Sequence, residues 1–399
     1  MNGHVKDLKV IETQRGEMIS LLTRLADINS SSTNPQGLEI CKRLLIEEFA
    51  CLGATLEIVS LKPTKYFDDR GLQQQLEHGD VLRFVKKRLR KKHLLLVGHY
   101  DTVHPQDSHF QKCTLKEDDD LLIGPGTLDM KGGLVVMLYA LKFLESTPLA
   151  RELSWEIVLV PDEEIGSPAS TPILTASAKK AHVGLVFEPA LEDGNLASSR
   201  KGSANFSVIC KGKAAHAGRN PGDGINAICA LAGVVNYLET LRGDDYYVNV
   251  GSITGGGKLN VVPDFAKMGF NLRFNTIKDF KKAELLIEIQ KTFVKKSTRA
   301  ELELEMETFR PPKVFDPTTR TLFEKLGACA KALNLPISWR PVGGVCDGNT
   351  LAGMNVPTID TLGVVGSGIH TDKECVFLES LTERAKLTAL LLMTLAEEK

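Results

Sequence analysis

The sequence predicts an α/β protein, a sheet flanked by helices, into which a smaller α+β domain is inserted. Three observations carry that prediction. The chain has 399 residues, more than one hydrophobic core of roughly 100–200 residues supports, so two domains are expected. Helical and strand patterns alternate through the first half and again after about residue 316, as a layered sheet with helices on both faces requires. Between them, residues 204–308 read strand, helix, strand, strand, helix, strand, a complete small-domain motif.

Taken in order, residues 14–28 and 36–52 have helical spacing, the second opened by Asn34-Pro35, a capping residue with proline at the first helical position. The β-branched run Thr55-Leu56-Glu57-Ile58-Val59 reads as a strand. Residues 81–85 and 94–97 read as the two strands of a hairpin with a solvated basic tip. A helix follows over 130–145, then strands at 154–160 and 183–187. After Glu188 the texture changes, and the small, polar stretch 192–202 reads as a hinge. Strand 204–210, helix 224–241, strands 246–253 and 265–274, helix 278–295 and strand 301–308 then follow the ferredoxin-like order, closed by Arg310-Pro311-Pro312. Beyond lie a helix to 333, a short strand, a strand at 357–362 and a final helix from about 378. The expected division is therefore 1–198 and 312–399 for the large domain and 199–311 for the insert.

Composition narrows the function. A net charge of −1 gives no long-range attraction to nucleic acid or anionic membranes. The basic run from Lys86 to Lys92 has no interleaved aromatics for base stacking. No run approaches the ~18 apolar residues of a membrane span, and the N-terminus lacks the apolar core of a signal peptide. Eight scattered cysteines without a C-x-x-C pair read as reduced, mostly buried thiols, which points to the cytoplasm.

Five stretches carry chemistry. Each lies at a strand end or in a loop, where open α/β sheets bind ligands. His99 and Asp101 end one strand, two apart and so on one side of an extended chain. The turn Gly124-Pro-Gly-Thr-Leu-Asp129-Met-Lys-Gly-Gly133 carries one carboxylate into a helix. Pro161-Asp-Glu163-Glu164 follows the strand at 154–160, Glu188-Pro189 follows that at 183–187, and Gly366-Ser-Gly-Ile-His370 lies near the C-terminus. Singly, each has an ordinary explanation: a core histidine, an N-cap for Asp129, an exposed acidic turn for Glu163 and Glu164, a solvated strand end, a surface loop. Together they form a mixed imidazole and carboxylate set suited to zinc or a similar divalent ion. With no thiolates and enough carboxylate to bridge, two metals fit.

These five motifs, in this order over nearly the whole chain, resemble the M20 zinc metallopeptidases. The stretch from Gly343 to Asp347 and the Gly-x-Gly-x-His-x-Asp-Lys around His370 are most like the glutamate carboxypeptidase branch. The resemblance implies a zinc-peptidase-like mixed sheet, with the inserted domain acting as a lid and forming a homodimer. It implies that His99, Asp129 and Glu188 hold one Zn2+ and that Asp129, Glu164 and His370 hold a second, with Co2+ or Mn2+ as substitutes. Asp101 then orients His99, Glu163 is the general base, and the Asp129–Met130 peptide is cis. His216, in Gly212-Lys-Ala-Ala-His-Ala-Gly218, reaches across the dimer to the oxyanion. Arg273 grips the substrate's free carboxylate, with Asn260 as companion, and Gly344 lets backbone approach the substrate.

The implied activity is hydrolysis of the amide bond of a small N-acyl amino acid or peptide bearing a free carboxylate, on the pattern of a glutamate carboxypeptidase. Glu188 favours it, because the family's di- and tripeptidases tend to carry aspartate there. The alternative within the family is an N-acyl amino acid deacylase resembling acetylornithine deacetylase or succinyl-diaminopimelate desuccinylase. The alternatives of other classes are a non-catalytic metal- or ligand-binding relative and a nucleic-acid module on Lys86–Lys92.

Overall fold

Strand patterning in the first unit resolves into one mixed sheet. The computed structural model describes residues 2–68, 70–88 and 91–398. We label β1 Thr55–Ser60, β2 Asp80–Lys86, β3 Lys92–His99, β4 Leu153–Val160 and β5 Val183–Val186. With the short strand Thr358–Ile359 they lie in the order β1, β2, β4, β3, β5, 358–359. β1, β2 and β4 pair antiparallel, whereas β4, β3, β5 and 358–359 are parallel. Every residue of β4 is buried, as a strand covered on both faces must be.

That central place for β4 corrects the expected hairpin. β2 and β3 do not pair with each other; β4 lies between them. A strand apolar on both faces gains most in the middle of the sheet, so it separates two neighbours in sequence. Leu89 and Arg90 of the expected tip lie outside the described residues. The basic run is matched by acids: Lys86 and Arg88 both reach Glu145, Lys91 pairs with Glu152 and Lys92 with Glu398.

The helices Arg15–Ala26, Pro35–Phe49, Gly132–Glu145, Pro317–Ala332 and Glu379–Glu397 pack around this sheet. Asn34 caps the second, its side chain accepting from Gly37 N at 3.1 Å. Gly132–Glu145 is apolar almost all round and buried accordingly. A small antiparallel sheet that sequence patterning did not indicate joins Gly366–Ser367, Cys375–Phe377, Leu121–Ile123 and Thr114–Lys116.

The chain divides into two compact units, and the second comprises Pro63–Leu76 and Arg200–Pro312. Its strands are β6 Gly202–Lys211, β7 Tyr246–Gly255, β8 Phe265–Phe274 and β9 Glu301–Arg310, in the antiparallel order β7, β8, β6, β9. Helices Ala227–Leu238 and Ile277–Thr298 complete the β-α-β-β-α-β order. The core alternates along β8: Phe270, Leu272 and Phe274 are buried, while Asn271 and Arg273 take the other face. Thr276 and Asp279 close a capping box at the start of Ile277–Thr298. The hairpin Thr64–Phe67 with Gln73–Leu76 groups with this unit, and Lys267 Nζ donates to Phe67 O.

Candidate metal centre

Parallel pairing of β3, β4 and β5 brings three carboxyl ends to one sheet edge. His99 ends β3, Glu163 and Glu164 follow β4 in a short turn, and Glu188 follows β5. The ladder continues past the strands, since Tyr100 N donates to Val160 O at 3.0 Å and Phe187 N to Val97 O at 3.1 Å. Register alone therefore places these four side chains near one another.

The glycine turn adds the fifth. Gly126 has φ +71°, and a Cβ there would lie 2.6 Å from Thr102 Cγ2; only glycine fits this left-handed position. A Cβ on Gly133 would lie 2.0 Å from Phe187 O, so the following helix can approach the end of β5 only without a side chain. The Asp129–Met130 peptide is cis. Across the small sheet, Cys375 pairs with Ile123, which sets the loop carrying His370 beside this turn.

Asp129 is the centre of the arrangement. Its Oδ1 lies 3.1 Å from His99 Nε2, and its Oδ2 lies 3.2 Å from His370 Nε2. His99 Nε2 is also 3.8 Å from Glu188 Oε2, and His370 Nε2 is 3.4 Å from Glu164 Oε2. His99, Glu163 and Glu188 offer ligand atoms all within 4.8 Å of one another, as do His99, Asp129 and Glu164. His99 is fully buried, Asp129, Glu163 and Glu188 are buried, and His370 is exposed.

The electrostatics favour cations. Nδ1–H of His99 donates to Asp101 O at 3.0 Å, which leaves Nε2 facing the carboxylates of Asp129 and Glu188. Burial opposes charge on His99, yet its contacts with Asp101, Asp129 and Glu188 raise it well above the usual imidazole range. Contacts with Asp129 and Glu164 push His370 up to about 10. Burial, then the neighbouring Asp129, raises Glu164 well above the carboxylate range. Four carboxylates (Asp129, Glu163, Glu164 and Glu188) are crowded around the two imidazoles. Glu164 Oε1 is buried and accepts no hydrogen bond. A surplus of buried negative charge with an oxygen left over fits divalent cations bound by nitrogen and oxygen donors.

Asp101 lies within this group, fully buried. Its carboxylate is 3.4 Å from His99 Nδ1, farther than its own carbonyl. Its Oδ1 accepts from Glu163 N at 3.2 Å, and its Oδ2 accepts from Glu164 N at 3.1 Å and from Ser32 Oγ at 2.7 Å. Asp101 thus fixes the backbone of the acidic pair as well as the ring of His99. Gly344 is exposed at 343–345, ahead of the helix Asp347–Gly353.

His216, Asn260 and Arg273 belong to the second unit. His216 is exposed, and its Nδ1 accepts from the backbone N–H of Gly218 and of Arg219, each at 3.1 Å. That leaves Nε2–H as the neutral ring's outward donor. Asn260 O accepts from Ala217 N at 3.0 Å, which ties it to the same loop. Arg273 Nε donates to Asn271 Oδ1 at 2.8 Å. Ser203 lies opposite Arg273 on one side and Arg310 on the other, so all three share one face of the sheet. Burial, and then the charge of Arg310, lowers the Arg273 guanidinium from its ordinary value.

Sequence reasoning missed Ser32, His104 and Glu374, all buried. Glu374 follows His370 by four residues and accepts from Gly126 N, Leu128 N and Asp129 N, while His104 Nε2 lies 2.7 Å from its other side. The only sequence signal was a pair of acids, Asp372 and Glu374, in the loop after His370.

Known proteins resemble this chain in family, in sequence and in structure. A family model described as Peptidase family M20/M25/M40 matches residues 95–394. Carboxypeptidase G2 of Pseudomonas sp. (strain RS-16) is 29% identical over 390 residues, covering 96% of this chain and 90% of that one. Succinyl-diaminopimelate desuccinylase 2 of Alteromonas mediterranea is 27% identical over 385 residues, covering 90% and 94%. Among solved structures, the di-peptidase Dug1p from Saccharomyces cerevisiae superposes with a TM-score of 0.76 at 15% identity, over 100% of both chains. The M20 family metallo-carboxypeptidase Sso-CP2 from Sulfolobus solfataricus does so with a TM-score of 0.72 at 16% identity, over 95% and 99%.

Proposed function

The chain belongs to peptidase family M20/M25/M40 and is a metal-dependent hydrolase, and from that premise we propose that it uses two zinc ions to cleave an amide bond next to a free carboxylate. The observation that carries this reading is Asp129, which turns one oxygen to His99 and the other to His370. His99, Asp129 and Glu188 would hold one ion, and Asp129, Glu164 and His370 the other, with Co2+ or Mn2+ as substitutes. Bound ions of this kind supply a Lewis acid for the scissile carbonyl and an acidified water.

Glu163 is assigned as the proton carrier: it takes a proton from the attacking water and hands it to the departing amine. Its carboxylate is buried, and its ligand atom stands within 4.8 Å of His99 and Glu188. His99 is held in one tautomer by Asp101 O, and Asp101 in turn sets the backbone that presents Glu163. His216 is assigned as the oxyanion donor through Nε2–H, delivered from a second copy of the chain. Support for that tautomer comes from the two backbone N–H groups on Nδ1. Arg273, with Arg310 along the same row, is assigned to the substrate carboxylate, Asn260 and Gly344 to neighbouring contacts.

We take the unit containing Arg200–Pro312 as the dimerisation and lid domain. Leu285, Ile289 and Phe293, spaced four apart on one helix, are 61%, 55% and 63% exposed, an apolar stripe suited to a second copy. No described helix is long and apolar enough to cross a membrane. Buried thiols, five of the eight cysteines, fit the reducing cytoplasm.

Of the two chemistries within the family, we favour a carboxypeptidase acting on N-acyl-glutamate-like substrates, because the relationship to Carboxypeptidase G2 extends over nearly the whole chain. Desuccinylation is the second reading, supported by the relationship to the desuccinylases. The test is zinc-loaded protein against N-acyl-glutamates, glutamyl peptides, N-succinyl-diaminopimelate and N-acetylornithine, with products identified by mass. Turnover confined to the last two would overturn the carboxypeptidase reading. No turnover across a broad panel would favour a binding protein.

A further inference from the structure

The loop beyond His370 contains a carboxylate that the chemistry above does not use. Glu374 is 1% exposed. Its Oε1 accepts from Leu128 N and from Asp129 N, both at 2.9 Å. Its Oε2 accepts from Gly126 N at 3.0 Å and lies 2.7 Å from Nε2 of buried His104. The backbone of residue 374 joins in, since Gly124 N donates to Glu374 O at 3.0 Å. One residue therefore binds four backbone N–H groups of the turn 124–129.

This turn needs such a partner. It is buried from Gly124 through Lys131, and no regular ladder serves its N–H groups at 126, 128 and 129. Successive N–H groups converging on one point form an anion-binding concavity, and here the anion is an internal carboxylate. The same carboxylate belongs to the loop that carries His370, four residues earlier, and that loop meets the turn again through the Cys375–Ile123 pair. The spacing between Asp129 Oδ2 and His370 Nε2, 3.2 Å, joins the two segments that Glu374 clamps.

We propose that Glu374 is a positioning residue for the metal centre: by clamping the Asp129 turn to the His370 loop, with His104 steadying it, it pre-assembles the carboxylate that the two ions share. This rests on the assignment of Asp129 and His370 as ligands. A carboxylate can accept at both oxygens, whereas the amide of glutamine has one acceptor and one NH2 group. In Glu374→Gln that NH2 must face N–H groups on one side or the other, so the clamp opens while side-chain size is kept. Glu374→Asp keeps the charge on a shorter arm.

The experiment is zinc titration against a chromophoric chelator, for wild type, Glu374→Gln, Glu374→Asp and His104→Phe, with thermal melting of each metal-free protein as the control for folding. Partners that orient metal ligands typically contribute about 10- to 100-fold in metal affinity. Glu374→Gln should lose that much at one or both ions and lose kcat with KM little changed, with Glu374→Asp partly restoring both. Two ions bound by Glu374→Gln as tightly as by wild type would overturn the proposal. If Glu374→Gln fails to fold, His104→Phe decides, since it removes a bond to Glu374 and none to the turn; zinc affinity equal to wild type then overturns the proposal. A wild type that binds no zinc would instead sink the ligand assignment, and this inference with it.

Discussion

Asp101 Oδ2 accepts a hydrogen bond from the backbone N–H of Glu164 at 3.1 Å. The strand end that presents His99 is thereby joined to the turn that presents both glutamates, and Oδ1 repeats the bond to Glu163 N. Asp101→Asn preserves shape but turns an NH2 group toward one of those N–H groups. We expect zinc affinity to fall about 10- to 100-fold and turnover to fall with it, read by chelator competition and steady-state kinetics. Unchanged affinity and turnover would show that Asp101 serves only the fold.

The adjacent glutamates should separate cleanly. Glu163→Ala is expected to retain both zinc ions and lose about 100- to 10,000-fold in turnover, the range for a lost acid–base group. Glu164→Ala should lose one ion. Metal content by atomic absorption together with rates distinguishes the two, and equal metal loss in both variants would refute the division of labour.

Arg273 tests the substrate's carboxylate. Arg273→Ala should raise KM for an N-acyl-glutamate and leave cleavage of its carboxamide analogue unchanged, because only the former offers a bidentate partner. Arg310, across Ser203 on the same face, should show the same selectivity more weakly. Equal losses on both substrates would remove Arg273 from recognition.

Acid stability should depend on Glu156, a buried carboxylate in the middle of β4. Burial raises its pKa, but contacts with His93, Ser177 and Arg83 outweigh that and bring it down from 4.5 to about 2. A depressed folded-state value stabilises the protein above pH 4.5 and is lost as pH falls toward 2. Glu156→Gln should therefore be less stable at pH 7 yet show a flatter decline between pH 4.5 and 2 in denaturant midpoints. A decline as steep as wild type would assign the acid limb to other groups.

Sequence patterning located strands better than it located their neighbours. The strand at 265–274 was legible to the residue because burial alternates along its whole length. β4 was legible as a strand, but nothing in its own residues says that it separates β2 from β3, so a hairpin was expected there. The hairpin at 64–76 escaped notice because Gln73, Gln74 and Gln75 carry no apolar alternation. Strands of two or three residues, such as Gly366–Ser367 and Cys375–Phe377, are too short to show a period. For the site, the residues at strand ends and in glycine turns were visible because position and chemistry coincide. Glu374 and His104 were not, since their importance lies in which backbone groups they meet.

The small sheet that joins 121–123 to 375–377 also fixes when the centre can exist. A growing chain that has reached Glu188, just past β5, carries His99, Asp129, Glu163, Glu164 and Glu188, but neither His370 nor Glu374. At that stage the chain holds four of the carboxylates and one of the two imidazoles, and lacks the residue that binds the N–H groups of the Asp129 turn. Domains fold as they emerge during synthesis, and on the ligand assignment proposed above this centre is complete only once the segment carrying His370 and Glu374 returns to the sheet edge.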